Sequence, residues 1–343
     1  MIPSPRSVVL AAILLLAAVP SRVRAQWTPG TSGTENELRG LSVVSPRVAW
    51  ASGQRGSVVR TLDGGATWMH DTVRGAGKLD LRSIAATSAR VAHALSIADS
   101  GRVFRTTDGG RTWSERYLGL RKGSFFDAIR FWDAKHGIAV SDPVDGKFLI
   151  ITTSDGGETW QEMPPDGMPA ALPDEGAFAA SGSALAVFGA RDVWFATGGA
   201  SVARVFHSKD RGRTWTVSDT PIRAGTPPEG IFSVAFRDSR NGVITGGDYT
   251  KPALGGRNFA HTADGGRSWT LLDSTASPQG FRSAVAYVGG RRLIAVGLNG
   301  TDVSRDGGMT WVRVDSVAYN AVQASGSTAF AAGPRGRVAH TRP

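Results

Sequence analysis

The sequence predicts an all-β fold, a seven-bladed β-propeller whose N-terminal strand closes the last blade. Three observations predict it: an octapeptide ending in Trp recurs six times, short β-rich runs precede each copy, and both chain ends carry part of a further repeat. Successive octapeptide tryptophans are 45, 47, 55, 54 and 42 residues apart. Such intervals are typical of one four-stranded blade per repeat.

The first element that the sequence predicts is an export signal over residues 1–25. Arg6 precedes an apolar stretch from Val8 to Val19, and Ala25 ends a sequence that suits signal peptidase. The stretch is too short for a stable bilayer anchor, so we expect no membrane span in the mature chain. We expect residues 26–343 to form a single propeller domain, periplasmic or secreted after cleavage near Ala25.

The octapeptide has the pattern Ser/Thr-x-Asp-x-Gly-x-Ser/Thr-Trp, which predicts a hairpin turn. We expect its Asp to accept hydrogen bonds from amides two residues further on, and its second Gly to adopt a positive φ. The Trp re-enters a strand and packs against the neighbouring sheet. The six structural pairs are Asp63 and Trp68, Asp108 and Trp113, Asp155 and Trp160, Asp210 and Trp215, Asp264 and Trp269, and Asp306 and Trp311.

The two chain ends together predict the seventh blade. After Trp311 the chain copies the first half of a repeat, and Gln26-Trp27-Thr28 copies the end of one. We therefore predict that blade 7 consists of residues 318–343 plus 26–31, because pairing the ends leaves fewer exposed strand edges. Residues 163–182, rich in Pro, Ala and Gly, are predicted to form a long loop between blades 3 and 4, which either covers the channel or leaves it open.

Composition narrows the classes of function. The formal net charge is +10, and removal of the predicted signal takes away Arg6, Arg22 and Arg24 and leaves +7. An exported basic surface favours anionic partners, but the basic residues form no run interleaved with aromatics, so no nucleic-acid partner is expected. The absence of Cys excludes disulfides, thiol catalysis and zinc–thiolate sites.

Neither a cofactor nor a metal ion is expected. No phosphate loop or dinucleotide fingerprint stands between a strand and a helix. His207, His261 and His340 occupy one repeat position on different blades, which argues against a shared metal site.

The innermost strands of a propeller line its central channel, so equivalent residues at their starts should converge at one mouth. Alignment of the repeats puts seven residues there: Arg39, Arg82, Asp127, Ser181, Phe232, Arg282 and Asn320. Four of these lie on consecutive blades of a closed ring, and we predict that Arg39, Arg82, Arg282 and Asn320 form a cationic arc. Guanidinium groups bind carboxylate or phosphate; the alternative is that these arginines pair with nearby carboxylates or face water.

A second candidate cluster is acidic and departs from the repeat pattern. It consists of Asp127, Asp142, Asp145 and Asp248. If these side chains meet at the channel mouth, they are candidates for acid–base chemistry or a calcium site. Asp-Pro and Asp-Gly are also ordinary turn dipeptides, so a purely structural role stays open and no catalytic residue is assigned.

The octapeptide is similar to the Asp-box, or bacterial neuraminidase repeat, and the resemblance spans essentially the whole mature chain. The run of Asp-Gly-Gly-x-Thr-Trp turns, the blade count and the export signal resemble the photosystem II stability/assembly-factor family most. That resemblance implies a non-catalytic binding or assembly scaffold, with a protein partner in the cell envelope bound through the loop face and the cationic channel mouth.

The resemblance to Asp-box proteins also leaves an alternative open, a sialidase-like glycoside hydrolase or a carbohydrate-binding propeller with an anionic glycan or carboxylate ligand. A sialidase needs a Tyr nucleophile with a supporting Glu and carries an Arg-Ile-Pro motif. That motif is absent, and none of the four tyrosines, Tyr117, Tyr249, Tyr287 and Tyr319, has an assignable Glu partner. The repeat alone therefore does not define a reaction.

Overall fold

A computed structural model describes residues 27–97 and 101–341, so the predicted export signal lies outside the described residues. The described residues form antiparallel strands and two single-turn 3-10 helices, Gln54–Gly56 and Pro165–Gly167. Four strands make up each blade, and the first strand of a blade is the innermost. Across these residues no helix has the length and apolar character needed to cross a bilayer.

Blades 1 to 3 each consist of four strands that are consecutive in the chain and neighbours in one sheet. Blade 1 contains β2 (Leu38–Val43), β3 (Ala49–Gly53), β4 (Ser57–Thr61) and β5 (Met69–Thr72). Blade 2 contains β6 (Asp80–Ala86), β7 (Ala92–Ile97), β8 (Arg102–Thr106) and β9 (Ser114–Leu118). Blade 3 contains β10 (Phe126–Phe131), β11 (Gly137–Val144), β12 (Lys147–Thr153) and β13 (Gln161–Glu162).

Blades 4 and 5 are joined by a strand pairing between them. Blade 4 contains β15 (Leu185–Phe188), β16 (Asp192–Gly198), β17 (Arg204–Ser208) and β18 (Thr216–Asp219), and the short β14 (Gly176–Ala177) also pairs with β16. Blade 5 contains β19 (Glu229–Phe236), β20 (Gly242–Asp248), β21 (Phe259–Thr262) and β22 (Thr270–Leu271). Gly198 of β16 lies opposite Gly230 of β19, where a Cβ on Gly230 would stand 2.5 Å from the Cα of Gly198. Two glycines therefore permit this contact.

Blade 7 is completed by the first strand of the chain. Blade 6 contains β23 (Ala284–Tyr287), β24 (Leu293–Gly297), β25 (Gly300–Ser304) and β26 (Val312–Asp315), and blade 7 contains β27 (Ala321–Ser325), β28 (Thr328–Ala332), β29 (Val338–Thr341) and β1 (Trp27–Gly30). β1 pairs antiparallel with β29, Trp27 standing opposite Thr341. The predicted all-β propeller, closed by its N-terminal strand, is confirmed.

The hydrophobic core lies between the blades rather than at the centre of the ring. In the described residues, each pair of successive blades shares one apolar cluster, including blades 7 and 1, where Leu41, Val59 and Phe330 meet. The octapeptide tryptophans pack toward the preceding blade, as Trp215 does in the cluster between blades 3 and 4. Each blade covers the apolar face of the next, so the ring buries its core only when it is complete.

The octapeptides are hairpin turns between the third and fourth strands. In the first copy, Asp63 accepts hydrogen bonds from the amide of Thr67 at 2.9 Å and from its hydroxyl at 2.6 Å. The amide is four residues further on, not two as expected, because the turn is longer than an Asx turn. The second glycine, Gly65, has a φ of 94°, as predicted. Hydrogen bonds from Thr67 hold the pKa of Asp63 at about 2.

Candidate binding site at the channel

One end of the ring, which we call the loop face, carries the loops between second and third strands and between consecutive blades. Innermost strands enter from this face, and those of blades 1, 2, 3 and 5 have a register shift near their starts. The shifts fall at Arg39, Arg82, Asp127 and Phe232. A β-bulge re-aims the side chain of its extra residue, so these four occupy equivalent positions at the channel mouth.

Strand pairing corrects the sequence alignment in two blades. In blade 1, the first octapeptide residue pairs with Ala49 of the second strand, and Ala49 pairs with Val43 of the innermost strand. In blade 6, the equivalent second-strand residue is Leu293, and its innermost-strand partner is Tyr287. Four residues earlier stand Arg39 and Ser283. Arg282 is therefore displaced by one residue from the mouth position, and the same comparison puts Ser183 rather than Ser181 there in blade 4.

Arg282 is a buried ion-pair residue. Its side chain and that of Asp302 are both fully buried, and its Nε donates to Oδ2 of Asp302 at 2.7 Å. Its Nη1 donates to the Asn299 side chain and to the carbonyl oxygen of Phe281, each at 2.6 Å. Burial lowers the pKa of Arg282, and Asp302 opposes that effect. A ligand at the mouth has no access to this guanidinium group.

Asn320 joins blade 7 to blade 1. Its side chain is fully buried, and Nδ2 donates to Oε1 of Glu37 and to the carbonyl oxygen of Leu38, each at 3.0 Å. These contacts tie the last blade to the first at the mouth. Both hydrogen bonds of the Asn320 side-chain nitrogen are therefore made to protein groups rather than to a ligand.

Arg39 and Arg82 are the two members of the predicted arc that reach solvent, with 22% and 30% of their side chains exposed. Each pairs with the acid two residues before it, Arg39 with Glu37 and Arg82 with Asp80, at 2.9 Å in both cases. Burial lowers the pKa of Arg39; Glu37 opposes this and the charge of Arg82 adds to it. The two guanidinium groups therefore lie side by side, each partly neutralised.

Asp127 and Asp142 are brought together, whereas Asp145 and Asp248 have other partners. Asp127 is fully buried, and neither of its carboxylate oxygens has a hydrogen-bond partner among the described residues. Burial and the neighbouring Asp142 raise the pKa of Asp127 well above its usual range, against the effect of Arg82. Asp145 is exposed and pairs with Arg121, while Asp248 pairs with Lys251.

Asp142 holds the segment that crosses the mouth. Its Oδ1 accepts a hydrogen bond from the amide of Ala177 at 2.8 Å, and burial raises its pKa to about 6. Ala177 belongs to residues 176–184, which we call the crossing segment. The acid pair therefore lies where blade 3 meets this segment.

The crossing segment closes the mouth by contacting five blades. Arg39 of blade 1 donates to the carbonyl oxygen of Ala180 at 3.3 Å, and Ser181 donates to the carbonyl oxygen of Ser283 of blade 6 at 3.0 Å. In blade 5, Phe178 stacks on Phe232 with ring centroids 3.9 Å apart. A Cβ on Gly182, whose φ is 67°, would lie 2.5 Å from Oγ of Ser83 in blade 2; Asp142 supplies the contact to blade 3. The end of the loop predicted over residues 163–182 thus covers the channel.

The crossing segment divides the mouth into a charged half and an aromatic half. In the charged half, Arg39, Arg82 and the acid pair of Asp127 and Asp142 come from blades 1 to 3. In the aromatic half, Phe232 packs edge-on against Phe281 with ring centroids 4.7 Å apart. Tyr249, 47% exposed, lies 6.0 Å from Phe232 and extends the aromatic half to the surface. The repeat alignment placed Phe232 at the mouth, but it did not predict the stacking with Phe178, which lies in the irregular loop.

The described ranges contain no group of three or more His, Cys, Asp or Glu side chains that could hold a metal ion. The mouth offers two partly exposed guanidinium groups, a buried acid pair and one exposed aromatic ring. This combination can bind a polar chain with apolar side groups across an open surface. Away from the mouth, the loop face also carries a cavity of about 900 Å³ between blades 6 and 7, bordered by Trp27, Tyr319 and Arg337.

The fold defines the chain as a β-propeller whose channel is covered at the loop face by the crossing segment. The solved structure "YCF48 bound to D1 peptide" is similar over 92% of this chain and 97% of that one, with a TM-score of 0.66 and 19% identity. "YCF48 from Cyanidioschyzon merolae" has a TM-score of 0.64 and 20% identity over 92% and 99% of the two chains.

A glycoside hydrolase is also among the similar folds. "Crystal structure of Niastella koreensis GH74 (NkGH74) enzyme" has a TM-score of 0.56 and 15% identity, and the match covers 90% of this chain and 43% of that one. No family model and no curated protein matches the sequence. At these identities the similarity shows the propeller fold alone.

Proposed function

We propose that this chain is an exported, non-catalytic scaffold that binds a segment of a partner protein in the cell envelope on its loop face. Its Asp-box repeats resemble those of photosystem II stability/assembly factors, and the proposed role is of that assembly type. The observation that carries the proposal is the crossing segment, which turns the mouth from a pocket into a continuous surface. Such a surface suits an extended chain better than a small substrate.

The chemistry of the surface supports a peptide ligand. Arg39 and Arg82 offer partly exposed donors for carboxylate side chains, while Tyr249 and Leu254 are 47% and 39% exposed on the adjacent loop of blade 5. Apolar anchors beside charged donors are typical of protein-binding surfaces. The similar fold of YCF48 with a bound D1 peptide is consistent with peptide binding by such a propeller.

A glycoside hydrolase is the second candidate, because Asp127 and Asp142 form a carboxyl pair whose pKa values are raised. A general acid must reach the glycosidic oxygen, and Asp127 has no exposed surface beneath the crossing segment. Hydrolysis would therefore require this segment to move away from the mouth. That requirement makes the scaffold the better supported proposal.

The test is photo-crosslinking capture from the native envelope, followed by binding of a synthetic peptide taken from the crosslinked partner. We expect Arg39→Gln/Arg82→Gln to weaken peptide binding by about ten-fold or more, the loss of charge-assisted hydrogen bonds. The matched control is Arg47→Gln/Arg90→Gln, which removes the same charge from exposed loops at the opposite face.

Two results would overturn the proposal. One is equal binding by the two double variants, which would move the interface away from the mouth. The other is glycan hydrolysis by the wild type that Asp142→Asn abolishes while the capture finds no crosslinked protein. That outcome would favour the glycosidase.

A further inference from the structure

The channel contains a polar group that neither the repeat pattern nor the loop face explains. Three residues beyond the mouth position, strand pairing aligns seven side chains around the channel: Ser42, Ala85, Arg130, Ala186, Ala235, Ala286 and Gln323. Five of them are Ser or Ala, the small residues that a narrow channel accommodates. Arg130 and Gln323 are the two exceptions, and they lie on blades 3 and 7.

Among the described residues, Arg130 has no ion-pair partner. No carboxylate in the described ranges lies within 4.0 Å of its guanidinium group, although Arg and Lys side chains form 14 ion pairs in those ranges. Its Nη1 donates to the carbonyl oxygen of Ile129 at 3.0 Å, and Nε and Nη2 have no protein acceptor there. Burial lowers the pKa of Arg130 to about 10, so the group is still charged at neutral pH. An unpaired cation in a partly desolvated site is costly unless an anion binds it.

Two cavities of about 290 and 370 Å³ meet this group, and both are lined by Arg130 and Gln323. Gln323 Oε1 accepts from the amide of Val43 at 3.1 Å, which orients Nε2 as a second donor. In the wall of the smaller cavity, the partly exposed apolar side chains include those of Ala186, Val187, Ala235 and Ala324, and no acidic side chain is present. In the larger cavity the one acid, Asp133, is already engaged by His136.

We propose that the channel binds a small organic monocarboxylate, its carboxylate on Arg130 and Gln323 and its short alkyl part against these small apolar side chains. A guanidinium fork matches a carboxylate in two parallel hydrogen bonds, and the apolar wall favours an alkyl acid over an inorganic anion. Access is from the octapeptide end, because the crossing segment covers the loop face. The site is separate from the loop-face surface and does not depend on the function proposed for it.

The experiment is calorimetric titration of the protein with butyrate in a low-chloride buffer, with inorganic phosphate and butylamine as comparison ligands. We expect saturable binding of butyrate, weaker binding of phosphate and none of butylamine. Arg130→Met should weaken butyrate binding by about ten-fold or more, the effect of losing a bidentate charge-assisted contact. Gln323→Leu should weaken it by a smaller factor, and the exposed-arginine control Arg47→Gln should leave it unchanged.

Thermal unfolding of each variant separates a binding defect from a folding defect. Arg130→Met should melt no lower than the wild type without ligand, because it removes an unpaired cation from a desolvated site. Should that variant fail to fold, Arg130→Lys keeps the charge without the planar fork and should still bind butyrate more weakly than the wild type. Three results would overturn the proposal: no saturable binding of butyrate, tighter binding of phosphate than of butyrate, or unchanged butyrate binding in Arg130→Met. If Arg130→Met does not fold, unchanged butyrate binding in Arg130→Lys takes the place of the third result.

Discussion

Arginines at the loop-face mouth and the arginine deeper in the channel have opposite surroundings. Arg39, Arg82 and Arg282 each have a carboxylate within 2.9 Å, and Arg282 is fully buried with its partner. Arg130 has no carboxylate within 4.0 Å in the described ranges and borders two cavities. A buried guanidinium group that is paired with a carboxylate has a structural role, whereas an unpaired one beside a cavity is available to a ligand.

The largest effect is expected from breaking the buried pair at the mouth. Asp302→Ala leaves Arg282 charged and without its carboxylate, and we expect a loss of about 3–5 kcal/mol in the free energy of unfolding, measured by urea denaturation. The double variant Arg282→Met/Asp302→Leu removes both charges and should recover most of that loss. Equal destabilisation by the two variants would show that packing, not the uncompensated charge, sets the cost.

The acid pair gives an intermediate, pH-dependent effect. Because the folded-state pKa of Asp142 is raised from 3.8 to about 6, its stabilising contribution is present below about pH 4 and is lost as pH rises through 6. Asp142→Asn should therefore gain roughly 1–3 kcal/mol relative to the wild type between pH 4 and pH 7, measured by urea denaturation across that range.

Titration of a buried histidine changes the free energy of unfolding with pH in the opposite direction. This contribution is the same in the wild type and in Asp142→Asn. Burial lowers the pKa of His93 to about 4, so its contribution is lost as pH falls. The contribution of His93 therefore cancels when the free energy of unfolding of the wild type is subtracted from that of Asp142→Asn. Parallel pH profiles for the two proteins would mean that the acid pair is not coupled to folding.

The smallest effect is expected at the octapeptide end. Asp210 accepts hydrogen bonds from the amide of Thr214 at 2.9 Å and from its hydroxyl at 2.6 Å, on a turn that is partly solvated. Asp210→Ala should cost about 1 kcal/mol, measured by thermal unfolding, since five further turns of the same kind remain. A loss as large as that of Asp302→Ala would mean that a single turn controls the whole ring.

The repeat made the architecture predictable because each octapeptide carries its own turn chemistry and its own Trp for the blade interface. The mouth was less predictable, since Arg39, Arg82 and Asp127 follow the repeat period while Arg282 is displaced by one residue through strand register. The stacking of Phe178 on Phe232 depends on an irregular segment that returns across the ring. Arg130 does stand out in an alignment of innermost strands, as a long cation among Ser and Ala, but only strand pairing fixes that alignment.

The pairing of β1 with β29 has a consequence for the order of folding. Trp27 donates from its indole to Thr301, a contact across 274 residues of sequence, at 3.0 Å. Contacts between such distant residues form late, because loop closure must precede any stabilisation from them. Until closure, the outer edge of β29 is an unpaired template that another copy's N-terminal strand can occupy. Domain-swapped oligomers are therefore the misfolded species that this topology favours at high concentration.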